Sequence, residues 1–462
     1  MITFRTLDLD GLWLRMDSRN IDPSVLVRRS GVEKITERLD SDHVEVIIGP
    51  RQSGKTTVLM MLIDALLQRG VTPQRVFYVN MDTIDRFEQF NNPMLLVEQI
   101  NHVREKGERV YLFLDEVQRL DTPGKFLKGV YDLGQNIKVL ATGSSSLELN
   151  SKIKEFLTGR KRETYIFPIS FKEYIRYENK VPFHLMPEYL AESSLGQWQE
   201  LEKIYGLYLN RIMEEMAIYG GYPAVLKAMG HQAKLEELNE IYRSYIKKDI
   251  VELLNLGKSE LFTNLVKVLS AQTGNLINKS EICSLLGSNM STVTKYMNIL
   301  METYVAAFLP PFVSSPRNEV RSAQKCYFMD NGIRNFTVRQ FGEFSLRPDK
   351  GAVMENLIFT ELAKEGALLD EELFYWRTKN GAEVDFLWRV GTGDDVVPVE
   401  IKTGSARPGL LSKSFHSFLE TFSPQKALFL NRDLFHIEKI KQTDVYYIPN
   451  HWFLLLGRKL IA

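Results

Sequence analysis

Gly49-Pro-Arg-Gln-Ser-Gly-Lys-Thr56 is the stretch of this 462-residue chain that decides its fold. It matches the pattern G-x-x-x-x-G-K-[ST] in full, follows the apolar run 44–48, and opens a helical pattern. A strand, a glycine-containing turn and a helix in this order allow successive backbone N–H groups to point at phosphate oxygens. The stretch therefore predicts a phosphate-binding loop after a strand of an α/β domain.

The side chains of this loop suit a nucleoside triphosphate with its metal. Lys55 can reach the β- and γ-phosphates, and the hydroxyl of Thr56 can coordinate Mg²⁺. The two glycines permit the tight turn that such a loop needs. The predicted ATP-binding residues are Gly49, Pro50, Arg51, Gln52, Ser53, Gly54, Lys55, Thr56 and Thr57, together with Asp115 from a later strand.

A second motif, Tyr111-Leu-Phe-Leu-Asp-Glu116, lies about 60 residues after the loop. Its apolar strand would deliver two carboxylates to the carboxyl edge of the sheet, where open α/β sheets bind ligands. Asp115 is the expected Mg²⁺ holder, and Glu116 is placed to orient and deprotonate the attacking water. Alone, the two acids would be ordinary polar residues at a strand end, but the preceding loop favours the functional interpretation.

Two further positions extend the predicted site. Thr142-Gly-Ser-Ser-Ser146 ends the next strand with hydroxyls, of which Ser144 is the candidate sensor of the γ-phosphate. Arg160 can stabilise transition-state charge at the nucleotide of a neighbouring subunit. The alternative for Arg160 is an exposed surface residue with no role in catalysis.

The region from residue 44 to residue 168 alternates apolar runs with helical patterns. Strands that are apolar on both faces form a parallel sheet covered by helices on both sides. The predicted strands are 44–48, 75–80, 109–114 and 137–142, and the predicted helices include 55–69 and 94–104.

These motifs resemble those of an AAA+ ATPase of the extended bacterial and archaeal group that carries a C-terminal domain of unknown function. The resemblance rests on GPRQSGKTT, LFLDEVQ, ATGSSS and LTGR…FPISFKEY, and farther along on YGGYPAVL, KKDIVELL and CYFMDNGIRN. It implies ATP binding and hydrolysis, and assembly into a ring or partial ring in which Arg160 faces the next subunit's nucleotide. No second sensor arginine is evident in the sequence.

Residues 279–301 have the form of a helix–turn–helix. Gly287 suits a helix end that needs positive φ, and Ser291 suits the N-cap of the second helix. Leu285 is among the predicted core residues of the pair, and the loop 310–324 with its flanking strands can form a wing. The predicted DNA-contacting residues are Thr292, Lys295, Asn298, Arg317 and Arg321. Winged helices also dock proteins or act as structural supports, so these alternatives stay open.

The C-terminal region carries a set of acids with one lysine: Glu355 on a helix, Asp385 on a strand, and Glu400 with Lys402 on the next strand. Alternate residues of a strand share a face, so Glu400 and Lys402 point together. Asp385 and Glu400 can hold Mg²⁺, and Lys402 can position or activate water for phosphodiester attack. The set resembles the PD-(D/E)XK nuclease core of restriction enzymes and Holliday-junction resolvases, in which Glu355 would be the helical acid. Such modules are also retained for binding alone.

Composition agrees with a multidomain globular chain. Hydrophobic residues make up 44% and charged residues 25%, and 58 Lys plus Arg balance 58 Asp plus Glu, which limits any nucleic-acid surface to a local patch. Cys283 and Cys326 are too few for a disulfide framework or a four-cysteine zinc site. The lack of a signal-peptide pattern and of an apolar run of about 18 residues favours a cytoplasmic protein without membrane contact.

The predicted fold class is therefore α/β: a P-loop AAA+ parallel sheet, a helical and winged-helix middle, and a restriction-endonuclease-like α/β module. The predicted division is an N-terminal segment 1–30, the AAA+ domain 31–170, a helical lid 171–240, the winged helix 241–345 and the nuclease-like domain 346–462.

Three functional hypotheses follow from these assignments. The leading one is an ATP-driven machine that acts on DNA, with branched DNA such as a four-way junction suggested by analogy with the resolvases. The second is an ATP-regulated, metal-dependent nuclease of a defence type. The third is a nucleotide-switched scaffold whose winged helix docks protein and does not bind DNA.

Overall fold

The computed structural model describes residues 2–7, 13–18, 27–83, 92–105, 107–133, 136–144, 157–249, 259–313, 323–366, 373–389 and 395–461, the first two ranges by backbone alone. Two compact units divide the chain. The N-terminal unit comprises Met1–Ile169 with Glu302–Tyr304, and the C-terminal unit comprises Ser170–Met301 with Val305–Ala462. In the described part of the chain, no helix is both long and apolar enough to cross a membrane.

A seven-stranded sheet forms the centre of the N-terminal unit, in the order β2-β1-β4-β5-β6-β3-β7. Its strands are β1 (Ile2–Leu7), β2 (Trp13–Ser18), β3 (Val44–Gly49), β4 (Val76–Asn80), β5 (Val110–Asp115), β6 (Ile137–Ser144) and β7 (Lys161–Tyr165). The five strands β3 to β7 run parallel, which confirms the predicted parallel α/β sheet. The hairpin β1–β2, from the predicted N-terminal segment, extends this sheet because β1 pairs in parallel with β4.

Helices cover both faces of this sheet. They are α1 (Ser30–Thr36), α2 (Lys55–Gln68), α3 (Pro93–Val103) and α4 (Pro123–Leu133). Ile47 and Phe113 belong to the cluster on the face of α1 and α2, while Val46 and Leu112 belong to the cluster with α3 and α4. This two-sided burial explains why the strands are continuous apolar runs in the sequence.

The first half of the C-terminal unit is helical. Its helices are α5 (Phe171–Glu178), α6 (Leu195–Tyr219), α7 (Pro223–Lys227), α8 (His231–Ile241), a π-helix (Tyr242–Asp249), α9 (Ser259–Ala271), α10 (Lys279–Leu285), α11 (Met290–Glu302) and α12 (Asn331–Val338). The motifs YGGYPAVL and CYFMDNGIRN meet at the end of α6. The Asp330 carboxylate accepts the Gly221 N–H at 2.8 Å, and the Asn335 amide donates to the Ala217 carbonyl at 2.9 Å. These two motifs therefore satisfy backbone groups that the end of a helix leaves unpaired.

The two helices of the predicted helix–turn–helix are present as α10 and α11, and Gly287 between them has φ of +57° as predicted. The predicted N-cap is wrong: the Asn289 side chain accepts the Thr292 N–H at 2.9 Å, and α11 begins at Met290, one residue before Ser291. The placement of Leu285 in the core is also wrong, because that side chain is exposed. The predicted flanking strands form the antiparallel pair β8 (Ala306–Leu309) and β9 (Lys325–Phe328).

A mixed six-stranded sheet ends the chain, in the order β10-β11-β12-β13-β15-β14. Its strands are β10 (Leu373–Arg377), β11 (Glu383–Arg389), β12 (Val396–Ile401), β13 (Lys426–Asn431), β14 (His436–Ile440) and β15 (Thr443–Pro449), and its helices are α13 (Lys350–Lys364), α14 (Lys413–Phe422) and α15 (Asn450–Leu456). The predicted α/β character of this region is confirmed. Strands β10, β11 and β12 pair antiparallel, whereas β12, β13 and β15 are parallel.

Candidate nucleotide-binding site and carboxylate cluster

The backbone of the loop between β3 and α2 is fixed by its glycines. A Cβ on Gly49 would lie 2.0 Å from the carbonyl oxygen of Ile166, whose N–H donates to Ile48 at 2.7 Å. Gly54 has φ of +97°, in the left-handed region that favours glycine, and Gln52 also lies there at +59°. The first glycine is thus required by a close contact with the chain that leaves β7, and the second by the turn itself.

Lys55 lies buried at the start of α2. Its Nζ donates to the carbonyl oxygens of Gly49 at 3.2 Å and Pro50 at 3.0 Å. Burial lowers the pKa of Lys55, and the nearby carboxylates of Glu116 and Asp115 oppose that shift. Because its partners in the loop are neutral carbonyls, the ammonium can exchange them for phosphate oxygens.

Asp115 is held by three hydroxyl groups at the end of β5. Thr56 Oγ1 donates to its Oδ2 at 2.8 Å, Tyr78 OH donates to the same oxygen at 3.0 Å, and Thr142 Oγ1 donates to Oδ1. Burial and the charge of Asp115 raise the pKa of Tyr78 well above its usual range, so the phenol stays a donor. Thr56 and Asp115, which the sequence assigns separately to Mg²⁺, are in contact with each other, and Tyr78 and Thr142 add two further donors.

Glu116 follows Asp115 with φ of +59°, and hydrogen bonds to two other side chains fix its position. Its N–H donates to Thr142 Oγ1 at 2.9 Å, and its Oε2 accepts a hydrogen bond from the Gln118 amide. One threonine hydroxyl therefore contacts both acids of the motif. The sequence contained a clue to this role, since Thr142 lies near the end of the strand next to β5 in a parallel sheet.

Arg29 is a buried contact of the loop that the motif did not predict. It donates to the Ser53 carbonyl at 2.7 Å and to the Phe167 carbonyl at 2.5 Å, and so connects the loop with the segment after β7. The hydroxyl of Ser53 is buried and has no hydrogen-bond partner among the described residues. An unpartnered buried hydroxyl in the loop, with an aspartate held by neutral donors, fits a magnesium nucleotide chemically.

The remaining residues of the predicted nucleotide site differ in position and exposure. Arg51 and Thr57 are half-buried, Gln52 is exposed, and the backbone of Ser144 pairs with Gly49 between β6 and β3, while its side chain lies outside the described residues. Arg160 lies 2.9 Å from Asp132 in a pair that is more than one-third exposed on both sides. Its role at a neighbouring subunit stays a prediction.

The four predicted nuclease residues lie close together in the C-terminal unit. Phe386 pairs with Val399, which sets Asp385 opposite Glu400, and the carboxylate of Asp385 accepts the Ile401 N–H at 2.7 Å. Lys402 Nζ lies 2.6 Å from Glu400. Among the described residues, no group of three or more His, Cys, Asp or Glu side chains is arranged to hold a metal ion.

A lysine absent from the prediction lies among these acids. Lys325 of β9 is 3.0 Å from Glu355 and 2.6 Å from Glu383, and only 1% of its side chain is exposed. Burial, with Glu355 and Glu400 nearby, raises the pKa of Asp385 well above its usual range. We call Glu355, Glu383, Asp385 and Glu400 the carboxylate cluster.

The predicted DNA-contacting residues are divided between two regions. On α11, Lys295 and Asn298 are exposed and Thr292 is half-buried, while Tyr296 and Met297 between them are buried. Arg317 and Arg321 lie outside the described residues.

The loop after a parallel strand, with the buried Asp115 against Thr56, defines a P-loop nucleotide-binding fold. Residues 41–175 match the family model of the AAA domain, residues 210–343 that of Domain of unknown function DUF8612, and residues 350–450 that of Domain of unknown function DUF4143. The chain thus carries an AAA-family domain followed by two domains of unknown function.

Two curated relatives match most of the chain. An uncharacterized protein of Haemophilus influenzae is 23% identical over 385 residues, which are 82% of this chain and 87% of the relative. An uncharacterized protein of Methanocaldococcus jannaschii is 28% identical over 396 residues, which are 84% of this chain and 79% of the relative. Neither name states an activity.

Solved structures are similar only at a distance. The ORC1 protein of Aeropyrum pernix in complex with DNA has 14% identity and a TM-score of 0.29, covering 68% of this chain and 94% of that one. A DNA polymerase III gamma subunit-related protein of Thermotoga maritima has 14% identity and a TM-score of 0.24, covering 59% and 98%. At such TM-scores these likenesses carry no argument about activity or partners.

Proposed function

We propose that the chain binds ATP with Mg²⁺ at the loop 49–56 and hydrolyses it. The observation that carries the proposal is the contact of Thr56 with Asp115, at 2.8 Å, within a set of neutral donors. Thr56 and Asp115 are the residues that would hold the magnesium ion, which neutralises charge on the phosphates when bound. The backbone N–H groups of the loop and the Lys55 ammonium would bind the phosphate oxygens.

Glu116 is the residue that we expect to accept the proton of the attacking water. Thr142 holds its backbone, and Gln118 holds its carboxylate, so the side chain has a defined starting position next to Asp115. A positioned general base contributes roughly 10²- to 10⁴-fold to a rate.

Paired substitutions test the ATPase proposal. Lys55→Ala should abolish ATP binding, and Glu116→Gln should retain binding while the rate of hydrolysis falls by at least about 100-fold. Lys34→Ala, which truncates an exposed lysine, and Glu98→Gln, which neutralises an exposed carboxylate, lie in the same unit and serve as matched controls. Unchanged hydrolysis in both site variants would contradict the proposal.

We further propose that assembly into a ring or partial ring brings Arg160 to the nucleotide of the next subunit. Support comes from its exposure, since its pair with Asp132 leaves the guanidinium reachable. The ATPase rate per subunit should rise with protein concentration in the natural chain and stay flat in Arg160→Ala. A rise of equal size in both would rule out this role.

We also propose that this ATPase acts on DNA, including branched DNA, through α11. Lys295 and Asn298 project from a helix whose opposite face is buried, which is the arrangement of a recognition helix. In an electrophoretic comparison of linear and four-way DNA at one stated salt concentration, Lys295→Ala should weaken binding and reduce the salt slope by about 1.

Lys267→Ala, which removes an exposed lysine of α9, is the matched control for that comparison. Equal affinity for linear and four-way DNA would remove the branched-DNA proposal. Nucleotide-dependent binding of a protein partner without salt-sensitive DNA affinity would favour the scaffold hypothesis instead.

A further inference from the structure

We infer that Lys325 is the resident cation of the carboxylate cluster and takes the place that a divalent metal would need. The C-terminal module then contains acids in a nuclease-like order without being a metal-dependent nuclease. This inference concerns the C-terminal unit and does not depend on the proposed ATPase.

The first support is the position of the ammonium group. Lys325 Nζ lies 2.6 Å from Glu383 Oε1 and 3.0 Å from Glu355 Oε1, and the side chain is 1% exposed. A buried ammonium is stable only when it is paired and hydrogen-bonded, so these two carboxylates cannot leave it without a large cost. The Lys325 ammonium and the carboxylates of Glu355 and Glu383 thus form one charge-paired group.

The second support is the strand that delivers the lysine. Lys325 and Tyr327 are alternate residues of β9, and alternate residues share one face of a strand. Tyr327 OH donates to Glu355 Oε1 at 2.5 Å, the same oxygen that contacts Lys325. This carboxylate oxygen is therefore already bound by two donors, one of them charged.

The third support is the state of the other acids. Asp385 Oδ2 accepts the Ile401 N–H at 2.7 Å, and Glu400 Oε1 lies 2.6 Å from Lys402 Nζ. Mg²⁺ requires near-octahedral oxygen ligands at about 2.0–2.1 Å. Asp385 Oδ2 and Glu400 Oε1 already contact protein donors, which leaves Glu400 Oε2 as a buried oxygen without a hydrogen-bond partner among the described residues. A divalent ion beside the Lys325 ammonium would also meet a like charge in a buried place.

The predicted assignment of Asp385 and Glu400 to a metal therefore does not fit their surroundings. The sequence pattern of the acids is as expected, but β9 adds a cation to them, because Lys325 pairs with Glu355 and Glu383. Lys402 pairs with Glu400, so three acids of the cluster already have a lysine of the protein as partner.

Manganese binding by the full-length chain without nucleotide tests this inference. We expect the natural chain to bind no Mn²⁺ at the cluster, as measured by electron paramagnetic resonance titration. Lys325→Gln, which removes the charge, should gain a Mn²⁺ site at least about tenfold tighter than any in the natural chain. The gained site should disappear in the double variant Lys325→Gln with Asp385→Asn.

Tyr327→Phe is the matched control, because it removes a neutral donor from Glu355 and leaves the lysine in place. It should gain no Mn²⁺ site. Circular dichroism and urea unfolding of each variant report whether the C-terminal unit is folded, and the natural chain itself needs no substitution for the first measurement.

Three results would overturn the inference. They are Mn²⁺ binding by the natural chain that Asp385→Asn removes, Mg²⁺- or Mn²⁺-dependent nicking of plasmid DNA that Asp385→Asn removes, and a folded Lys325→Gln that gains no site. If Lys325→Gln does not fold, the first two measurements on the natural chain and Asp385→Asn decide the question.

Discussion

Asp115 and Glu355 are both acids that meet donors from other helices or strands, but the donors differ in charge. Asp115 accepts hydrogen bonds from the hydroxyls of Thr56, Tyr78 and Thr142, whereas Glu355 faces the ammonium of Lys325. Neutral donors fix the position of a carboxylate but do not neutralise it, so its negative charge stays available to a bound cation. A lysine fixes the position and also balances the charge.

The same contrast divides the sheet of the N-terminal unit. Near the start of its strands, the buried Glu45 pairs with Lys138 at 3.4 Å and with Arg38 at 3.1 Å. At the end of its strands, Asp115 has neutral donors. Charge is thus balanced within the protein at one edge of the sheet and left for a ligand at the other.

The largest expected effect concerns Thr142, whose hydroxyl contacts both acids of the proposed catalytic pair. Thr142→Val keeps the shape but removes the hydroxyl, and the rate of ATP hydrolysis should fall about 100-fold, or about 2.7 kcal/mol. Thr142→Ser restores a hydroxyl and should recover most of the rate in steady-state assays. A full rate in the valine variant would show that neutral donors do not position these acids.

The next effect is on stability and concerns Lys138. Lys138→Met leaves Glu45 with Arg38 alone, and urea unfolding should show a loss of about 2 kcal/mol, less than for a buried acid left with no partner. Lys34→Met, at an exposed position of α1, is the control and should change stability little. ATP affinity should be unchanged, because the pair lies at the opposite edge from the loop.

Lys138 also gives a pH dependence with a defined sign. Burial is the main cause that lowers its pKa from 10.5 to about 8. Between these values the unfolded chain binds more protons than the native one, so this group makes stability rise with pH, by at most about 1.4 kcal/mol per unit. Lys138→Met should lack that rise when its unfolding free energy is compared with the natural chain from pH 8 to pH 10.

The smallest effects compare two tyrosines. Tyr78→Phe removes one of three neutral donors to Asp115, and the apparent affinity for magnesium ATP should change by no more than about threefold, which is below 1 kcal/mol. Tyr327→Phe should lower the stability of the C-terminal unit by about 1 kcal/mol, the usual worth of one hydrogen bond. A change in ATP affinity of more than about threefold for Tyr78→Phe, or an unchanged stability of Tyr327→Phe in urea unfolding, would contradict the comparison.

The parts that could be predicted from the sequence are those whose residues are contiguous. The loop 49–56 and the pair Asp115–Glu116 each lie on one strand end, so a short motif with its flanking pattern placed them. Tyr78 and Thr142 were missed because their contacts depend on which strands become neighbours. The register Leu114 to Ala141 between β5 and β6 brings Thr142 next to Asp115, and no local pattern states it.

Lys325 shows the same limit on a larger scale. It lies 30 residues before Glu355, on the strand β9 that was predicted only as part of a wing. A single lysine in an apolar strand has no motif, so only the fold identifies its partners. The assignment of Ser291 as the N-cap failed for a different reason, since a neighbouring residue such as Asn289 can cap a helix equally well.

The contact between Gly49 and Ile166 determines which residues can reveal a loss of ATPase activity in related chains. Because a Cβ at position 49 would collide with the Ile166 carbonyl, in the chain that leaves β7, glycine is needed there whether or not a nucleotide is ever bound. A descendant that abandoned turnover would be free to change Lys55 and Glu116 long before it could change Gly49. A homologue that keeps this glycine therefore shows only that it keeps the sheet. Lys55 and Glu116 are the residues whose presence indicates whether it can still hydrolyse ATP.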